Sequence, residues 1–141
     1  VKSASDLAPP EYRLGDLTKR LFQGPQALMS AVYVELLYGS RTFKTSCAET
    51  PNGETSVGYA DECFLFVYRK DQELQVAARD KRGLQSVIRG DPLIGEHALR
   101  LDGSLQDCLP RWADVPLMRA GSNVGVVCLR YQLLRLSDGA V

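Results

Sequence analysis

Side chains that could catalyse a reaction are few in this chain, and their spacing suits no known catalytic arrangement. His97 is the only histidine, and it falls in an alternating, strand-like stretch. Ser56, Ser86 and Ser104 lack the strained, glycine-flanked turn that exposes an esterase nucleophile. The glycines are scattered and form no phosphate-binding loop. We therefore predict that the chain is not an enzyme.

Four cysteines stand at wide and irregular spacings, at Cys47, Cys63, Cys108 and Cys128. They form none of the closely spaced pairs that metal sites and redox motifs require. Cys63 and Cys128 fall inside strand patterns, which predicts small buried side chains with free thiols in a reducing compartment. A disulfide is the alternative. No resident cofactor is predicted.

Basic residues are the remaining candidates for chemistry, because they could hold phosphate groups electrostatically. The candidate anion-binding residues, with two apolar neighbours, are Arg13, Lys19, Arg20, Phe22, Arg41, Lys44, Lys81, Arg82, Leu84 and Arg89. Lysine plus arginine equals aspartate plus glutamate at 17 each, so no overall positive field argues for nucleic acid. Cations beside an apolar tip suit an anionic lipid surface, where each cation contributes about 1 kcal/mol.

The elements that must position these residues are β-strands at short intervals, which predicts an antiparallel β-sandwich. Eight strands are predicted, over residues 1–5, 31–38, 42–47, 62–68, 73–79, 93–101, 112–118 and 124–135. Tight turns are predicted at Gly39-Ser40, of type II′, at residues 70–72 and at residues 120–123. Pro92 and Gly95 mark the start of one strand and a bulge or close backbone approach within it.

The connection over residues 6–30 is far longer than most loops, so it is functional, helical or disordered. Apolar residues at helical spacing, with Asp16 as an N-cap and Gly24-Pro25 as a stop, predict a short amphipathic helix over residues 17–23. Leu17 and Leu21 could fold back and close the end of the sandwich, or they could form an exposed contact surface.

Several segments, in this order, resemble those of C2 domains, a family of calcium- and phospholipid-binding β-sandwiches. Residues 1–7 are similar to the end of the first strand, and residues 30–34 stand where the family has Ser-Asp-Pro-Tyr-Val. Residues 61–66 resemble Asn-Glu-x-Phe-x-Phe. The matching pieces nearer the end of the chain are Leu93-Ile94-Gly95-Glu96, Trp112 and Pro116-Leu117. The resemblance implies an eight-stranded antiparallel all-β sandwich. The long first loop, with the short helix predicted in it, is a departure from the family, because most C2 domains carry a shorter first loop.

The resemblance also implies where calcium ligands would lie, and here the chain departs from the family. The five ligand positions fall on Glu11, Ala31, Asp80, Arg82 and Pro92, with Asp91 one residue early. Alanine offers no oxygen, and a guanidinium repels a cation. Glu11, Asp80 and Asp91 remain as vestigial positions, so calcium binding is not expected.

The length of 141 residues fits one domain, predicted over residues 1–141 and expected to be a piece of a longer protein. No apolar run is long enough to span a membrane. We therefore expect a cytoplasmic, peripheral-membrane module that recruits its parent protein to anionic phospholipid through basic loops, without calcium. The alternative is a protein-interaction or scaffold module that binds no lipid.

Overall fold

The computed structural model describes residues 1–8, 31–50, 55–60, 62–81, 90–103 and 109–135. This part of the chain contains only β-strands. Their bounds are β1 Ser3–Ser5, β2 Ala31–Tyr38, β3 Arg41–Lys44, β4 Ala48–Glu49, β5 Val57–Gly58, β6 Leu74–Asp80, β7 Leu93–Leu99, β8 Arg111–Arg119 and β9 Ser122–Tyr131. The predicted helix over residues 17–23 lies outside the described residues, as does most of the long first loop.

The nine strands form one antiparallel sheet that curls into a half-barrel. The strand order is β3-β2-β6-β7-β8-β9-β1-β5, and β4 pairs with the start of β2. The all-β antiparallel fold class is therefore confirmed, although the number of strands differs from the prediction. Two strands of only two residues each, β4 and β5, were too short to show an alternating pattern in the sequence.

The predicted strand over residues 62–68 is wrong as a strand assignment, because this segment belongs to no ladder. Its alternation is nevertheless real. Phe64 and Phe66 pack against the core, whereas Leu65 and Val67 are exposed. The alternation therefore marks which side of the segment faces the core, while hydrogen bonding to a neighbouring strand is missing in the described part of the chain.

The predicted turns agree with the structure. Gly39 has φ 61° and Ser40 does not have a positive φ, which is the pattern of a type II′ hairpin. At the third turn both Ala120 and Gly121 have positive φ, at 51° and 80°, as a type I′ hairpin requires. The N–H of Gln72 donates to the carbonyl of Arg69 at 3.1 Å, and this hydrogen bond closes the second predicted turn, at residues 70–72.

One apolar core fills the concave side of the sheet, and all the longer strands contribute to it. Alternate residues of β2 and β6 point inward, as period-two alternation requires. The largest side chains that are fully buried include Leu7, Val32, Val76, Ile94 and Leu117.

Gly95 lies at a bulge between β6 and β7, where the register shifts after Ala78. A Cβ atom at Gly95 would fall 2.5 Å from Val124 Cγ2 and 3.0 Å from Leu117 Cβ. The predicted bulge and close approach are both present. The backbone of β7 therefore lies against β8 and β9 at a distance that only glycine allows.

Gly95→Ala is expected to lower the free energy of unfolding by about 1–3 kcal/mol, because the added methyl overpacks the core. Chemical denaturation measures this change. Gly58→Ala is the matched control, since a Cβ at Gly58 would meet no atom within 4 Å. Equal effects of the two substitutions would show that Gly95 is not held by packing.

Candidate functional site

The two connections that carry most of the predicted anion-binding residues attach at the same end of the sheet. The backbone N–H of Lys81, just after β6, donates to the carbonyl of Ala31, the first residue of β2, at 2.8 Å. The N–H of Asp80 donates to the carbonyl of Pro92 at 3.0 Å. We call this the loop end, defined by Ala31, Lys81 and Pro92. The opposite end, defined by Gly39, Arg41 and residues 69–72, is called the turn end.

Predicted site residues are divided between these two ends. Lys81 is exposed at the loop end, whereas Arg41 pairs with Tyr38 at the turn end. Tyr38 lies seven residues after Ala31 in β2, which corresponds to about 23 Å along a strand. Lys81 and Arg41 therefore cannot contact one small ligand together. Seven predicted residues lie outside the described part of the chain, namely Arg13, Lys19, Arg20, Phe22, Arg82, Leu84 and Arg89.

Lys44, another predicted anion-binding residue, lies on the convex face of the sheet and is paired there. Its Nζ is 3.7 Å from Glu35 Oε2 and 5.7 Å from the centre of the Tyr33 ring. Glu35 also accepts from Arg79 Nε at 3.4 Å. The ion pair with Glu35 reduces the positive charge that Lys44 can offer to a ligand.

Asp80, a vestigial calcium position, has a fully buried side chain on the core face, opposite Val32 in the ladder. Its Oδ1 accepts a hydrogen bond of 3.2 Å from the N–H of Ala31. The carboxylate thus fixes the start of β2 against the end of β6. Because it is buried and makes this contact, Asp80 has a structural role at the loop end.

Asp91, the second vestigial position, lies on the other face of the sheet. Its Oδ2 accepts a hydrogen bond of 2.6 Å from the hydroxyl of Tyr33, and its carbonyl accepts one of 3.1 Å from Arg79 Nη1. Tyr33 follows Val32 in β2, so the two side chains point to opposite faces. Burial raises the pKa of the Tyr33 hydroxyl, and the hydrogen bond to Asp91 raises it further. The hydroxyl therefore stays protonated and donates to Asp91.

Asp80 and Asp91 are therefore separated by the sheet rather than gathered around one position. Calcium needs six to eight oxygen ligands at 2.3–2.6 Å, shared among several groups on one side of a site. Within the ranges that the structure describes, no group of three or more histidine, cysteine or acidic side chains could hold a metal ion. Glu11 lies outside those ranges.

His97 and the cysteines that can be placed do not form a catalytic group. His97 is exposed on β7. Cys47, Cys63 and Cys128 are free thiols. Cys63 is exposed, which corrects the expectation that it is buried, because it lies on the outward side of the segment over residues 62–68. Ser56 is also exposed, while Ser86, Ser104 and Cys108 lie outside the described residues.

Cys128 is expected to react with a small thiol reagent at pH 7.5 more slowly than Cys47 and Cys63. Partial burial raises the pKa of the Cys128 thiol, and the hydrogen bond to Asp114 raises it further. A smaller fraction of this thiol is therefore present as the reactive thiolate. Both other thiols are exposed. Peptide mass spectrometry after brief labelling would measure the three rates. Labelling of Cys128 as fast as that of Cys47 and Cys63 would contradict the partial burial of Cys128.

The curled antiparallel sheet and its strand order define a class: this chain has the fold of a C2 domain. The first of the C2 domains of plant extended synaptotagmin 1, its domain A, superposes with a TM-score of 0.60 at 12% identity, covering 96% of this chain and 92% of that one. A structure of the paired C2 domains, A and B, of extended synaptotagmin 2 gives a TM-score of 0.57 at 16% identity, with 96% of this chain covered.

A longer structure of extended synaptotagmin 2, with its SMP domain and the same two C2 domains, gives 0.51 at 20% identity and 92% coverage of this chain. This chain spans 39% of the two-domain chain and 24% of the longer one. No protein-family model and no curated protein sequence matches the chain. At these identities the similarity establishes the fold alone.

No helix among the described residues is long and apolar enough to cross a membrane.

Proposed function

We propose that this chain is a non-catalytic module that binds anionic membranes through its loop end, without calcium, and so recruits the protein that contains it. The observation that carries the proposal is the hydrogen bond between Lys81 and Ala31, which joins the residue before one basic connection to the residue after the other. The cations in or beside these connections are Arg13, Lys19, Arg20, Lys81, Arg82 and Arg89. Residues 9–30 and 82–89 contain only two carboxylates, Glu11 and Asp16.

This excess of positive charge supports binding to a negatively charged leaflet. Each cation near such a surface contributes about 1 kcal/mol, and the attraction falls with added salt. Phe22 and Leu84 belong to the same connections and would add apolar burial at the interface. A peripheral, cytoplasmic location follows from this proposal.

The proposal that binding needs no calcium rests on where the carboxylates of Asp80 and Asp91 lie. Asp80 is buried and holds the N–H of Ala31, and Asp91 is bound to Tyr33 on the opposite face. A calcium ion would have to draw both carboxylates to one side of the sheet, and the side chains of Ala31 and Arg82 supply no oxygen. The proposed attraction therefore depends on lysine and arginine rather than on a bridging metal.

Co-sedimentation with vesicles tests the proposal. The purified chain is mixed with neutral phosphatidylcholine vesicles, or with the same vesicles containing phosphatidylserine, in calcium or in chelator. Pelleting with acidic vesicles in chelator, reduced by salt, is the expected result. Pelleting that requires calcium would overturn the calcium-independent mechanism, and absence of pelleting in all conditions would overturn lipid binding.

A protein-interaction module is the second candidate, and one observation favours it. The most exposed large apolar side chains that the structure describes lie away from the loop end, and they include Leu65 and Val67 at 74% and 75% exposure. Exposed apolar side chains away from the loop end favour a polypeptide partner more than a lipid surface.

A further inference from the structure

A pocket of about 470 Å³ opens to solvent at the turn end, between the β2–β3 hairpin and the chain that leads into β6. Its volume is in the range of sites for small molecules and side chains. We call it the turn-end pocket, and it is lined by residues 38–41, Phe66, Val67, Arg69 and Gln72. None of these lining residues is acidic.

The two arginines of the pocket are both positioned by one tyrosine. Arg41 is the ladder partner of Tyr38 across the hairpin, and the side chains of directly opposed residues share one face of a sheet. Tyr38 is buried in the core, so Arg41 extends over the edge of the core. The hydroxyl of Tyr38 donates to the carbonyl of Arg69 at 3.0 Å and accepts from its N–H at 2.8 Å. The backbone positions that carry the two guanidinium groups are therefore fixed relative to each other.

The turn that carries Arg69 also packs against the hairpin. The side-chain amide of Gln72 lies so close to Gly39 that a Cβ atom at Gly39 would overlap its nitrogen. The N–H of Gln72 closes the turn on the carbonyl of Arg69. This wall of the pocket is thus held in place by tertiary contacts.

Neither guanidinium group has a partner within the described part of the chain. Arg41 and Arg69 make no ion pair and no side-chain hydrogen bond there, whereas Lys44 and Arg79 both pair with Glu35. Both arginine side chains are exposed. Two unpaired cations on a pocket whose described lining has no carboxylate favour an anionic ligand.

We propose that the turn-end pocket binds a phosphate monoester carried by a side chain of a polypeptide partner. Such a group has a charge of about −1.5 to −2 at pH 7 and three acceptor oxygens, which matches two guanidinium groups. Each guanidinium group donates two parallel hydrogen bonds to oxygens of this kind. A carboxylate carries a single charge and would leave one of the arginines without a full partner.

The apolar side of the pocket favours a phosphate that is joined to an apolar stem. Phe66 and Val67 lie beside the two arginines, and the ring of Phe66 is placed by its contact with Tyr38, at 4.4 Å between centroids. The ring of a phosphorylated tyrosine would cover these two side chains. The hydroxyl groups of an inositol ring would lose water there without gaining hydrogen-bond partners.

The inference does not depend on lipid binding at the loop end. The turn-end pocket lies about 23 Å along β2 from that end, so one small ligand cannot reach both. A membrane at the loop end and a polypeptide at the turn end are therefore compatible with each other.

Titration of the isotope-labelled chain with short peptides, followed through its amide NMR signals, tests the proposal. The probes are Gly-Ala-Tyr-Ala-Gly and Gly-Ala-Thr-Ala-Gly, each with and without phosphate on the hydroxyl, and inorganic phosphate. The phosphorylated tyrosine peptide is expected to bind at least about tenfold more tightly than its unphosphorylated form and than inorganic phosphate. The signals of Ser40, Arg41, Arg69 and Gln72 are expected to shift.

Arg41→Gln combined with Arg69→Gln is expected to weaken binding of the phosphorylated peptide at least about tenfold. The matched control combines Lys44→Gln with Lys70→Gln, which makes the same charge change in the same two segments. Lys44 is paired with Glu35 on the other face, and Lys70 does not line the pocket. Binding by this control is expected to stay within about threefold of the original chain.

Equal binding of each peptide with and without phosphate would overturn the proposal, and so would equal losses in the two double variants. Inorganic phosphate that binds as tightly as the phosphorylated peptides would show that the pocket takes a free anion only. Vesicles with a phosphatidylinositol bisphosphate are the last probe. If they bind through Arg41 and Arg69 and the peptides do not, the pocket belongs to a membrane site.

Pelleting with phosphatidylserine vesicles is measured in parallel. It is expected to be the same for the original chain and for the variant with Arg41→Gln and Arg69→Gln. Failure of the peptide titration and failure of lipid binding at the loop end are therefore recognised separately.

Discussion

Charge reversal of Lys81 and Arg82 to glutamate is expected to weaken binding to phosphatidylserine vesicles at least about 30-fold at physiological salt. Each cation near the leaflet contributes about 1 kcal/mol, and the introduced carboxylates add repulsion. Lys81 is exposed just after β6, so reversing its charge is expected to change the thermal midpoint of unfolding little. Titration with vesicles in chelator gives the dissociation constants of the original chain and of the double variant.

The matched control reverses Arg41 and Arg69, which makes the same change in net charge at the turn end. Both residues are exposed there, about 23 Å along β2 from the loop end. Binding by this control is expected to remain within about threefold of the original chain, because the Debye length is about 8 Å at physiological salt. Equal losses in both variants would mean that the overall charge, and not the loop end, attracts the membrane.

Leu117→Ala is expected to lower the free energy of unfolding by about 3–5 kcal/mol. Leu117 of β8 is fully buried, and its Cβ lies against the backbone of Gly95. The substitution removes apolar burial and leaves a cavity that a glycine backbone cannot fill. A decrease in the thermal midpoint of roughly 10 °C or more corresponds to this loss. Denaturant titration would give the free energy directly.

Leu65→Ala is the control for that experiment, because it removes the same atoms from a side chain that is 74% exposed. Its expected effect is within about 0.5 kcal/mol, as for other surface positions. A loss comparable with that of Leu117→Ala would show that Leu65 is covered in solution.

Much of the fold could be predicted from local patterns. Strands β2 and β6 lie within one residue of their predicted bounds, since long alternating stretches carry a strong signal. Gly39 and residues 120–123 also predicted their turns, because a positive φ restricts the residue types that a turn accepts. The short strands β4 and β5 were missed, because two residues carry no measurable alternation.

The segment over residues 62–68 shows the limit of such patterns. Alternation of Phe64 and Phe66 with Leu65 and Val67 records which side faces the core, although Cys63 was expected to be buried and is exposed. Whether a ladder forms depends on a neighbour that supplies hydrogen bonds. No pattern within residues 62–68 contains information about such a neighbour.

The candidate site divides in the same way between local and long-range information. The residue types at Ala31 and Arg82, read with the C2 resemblance, were enough to predict a defective calcium position. No local pattern distinguishes Arg41 or Lys44 from the other cations. The structure places Arg41 at the turn end and Lys44 beside Glu35, because antiparallel pairing fixes which residues are neighbours.

The sequence by itself determined the all-β class, the main strands and the turns, because these follow from side-chain alternation and backbone restrictions within a few residues. Only the tertiary structure decided which basic connections share an end, that Asp80 and Asp91 lie on opposite faces, and that the backbone of residues 63–68 lacks a ladder partner among the described residues. Each of these depends on the register between strands far apart in the chain, and register is settled by packing of the whole sheet.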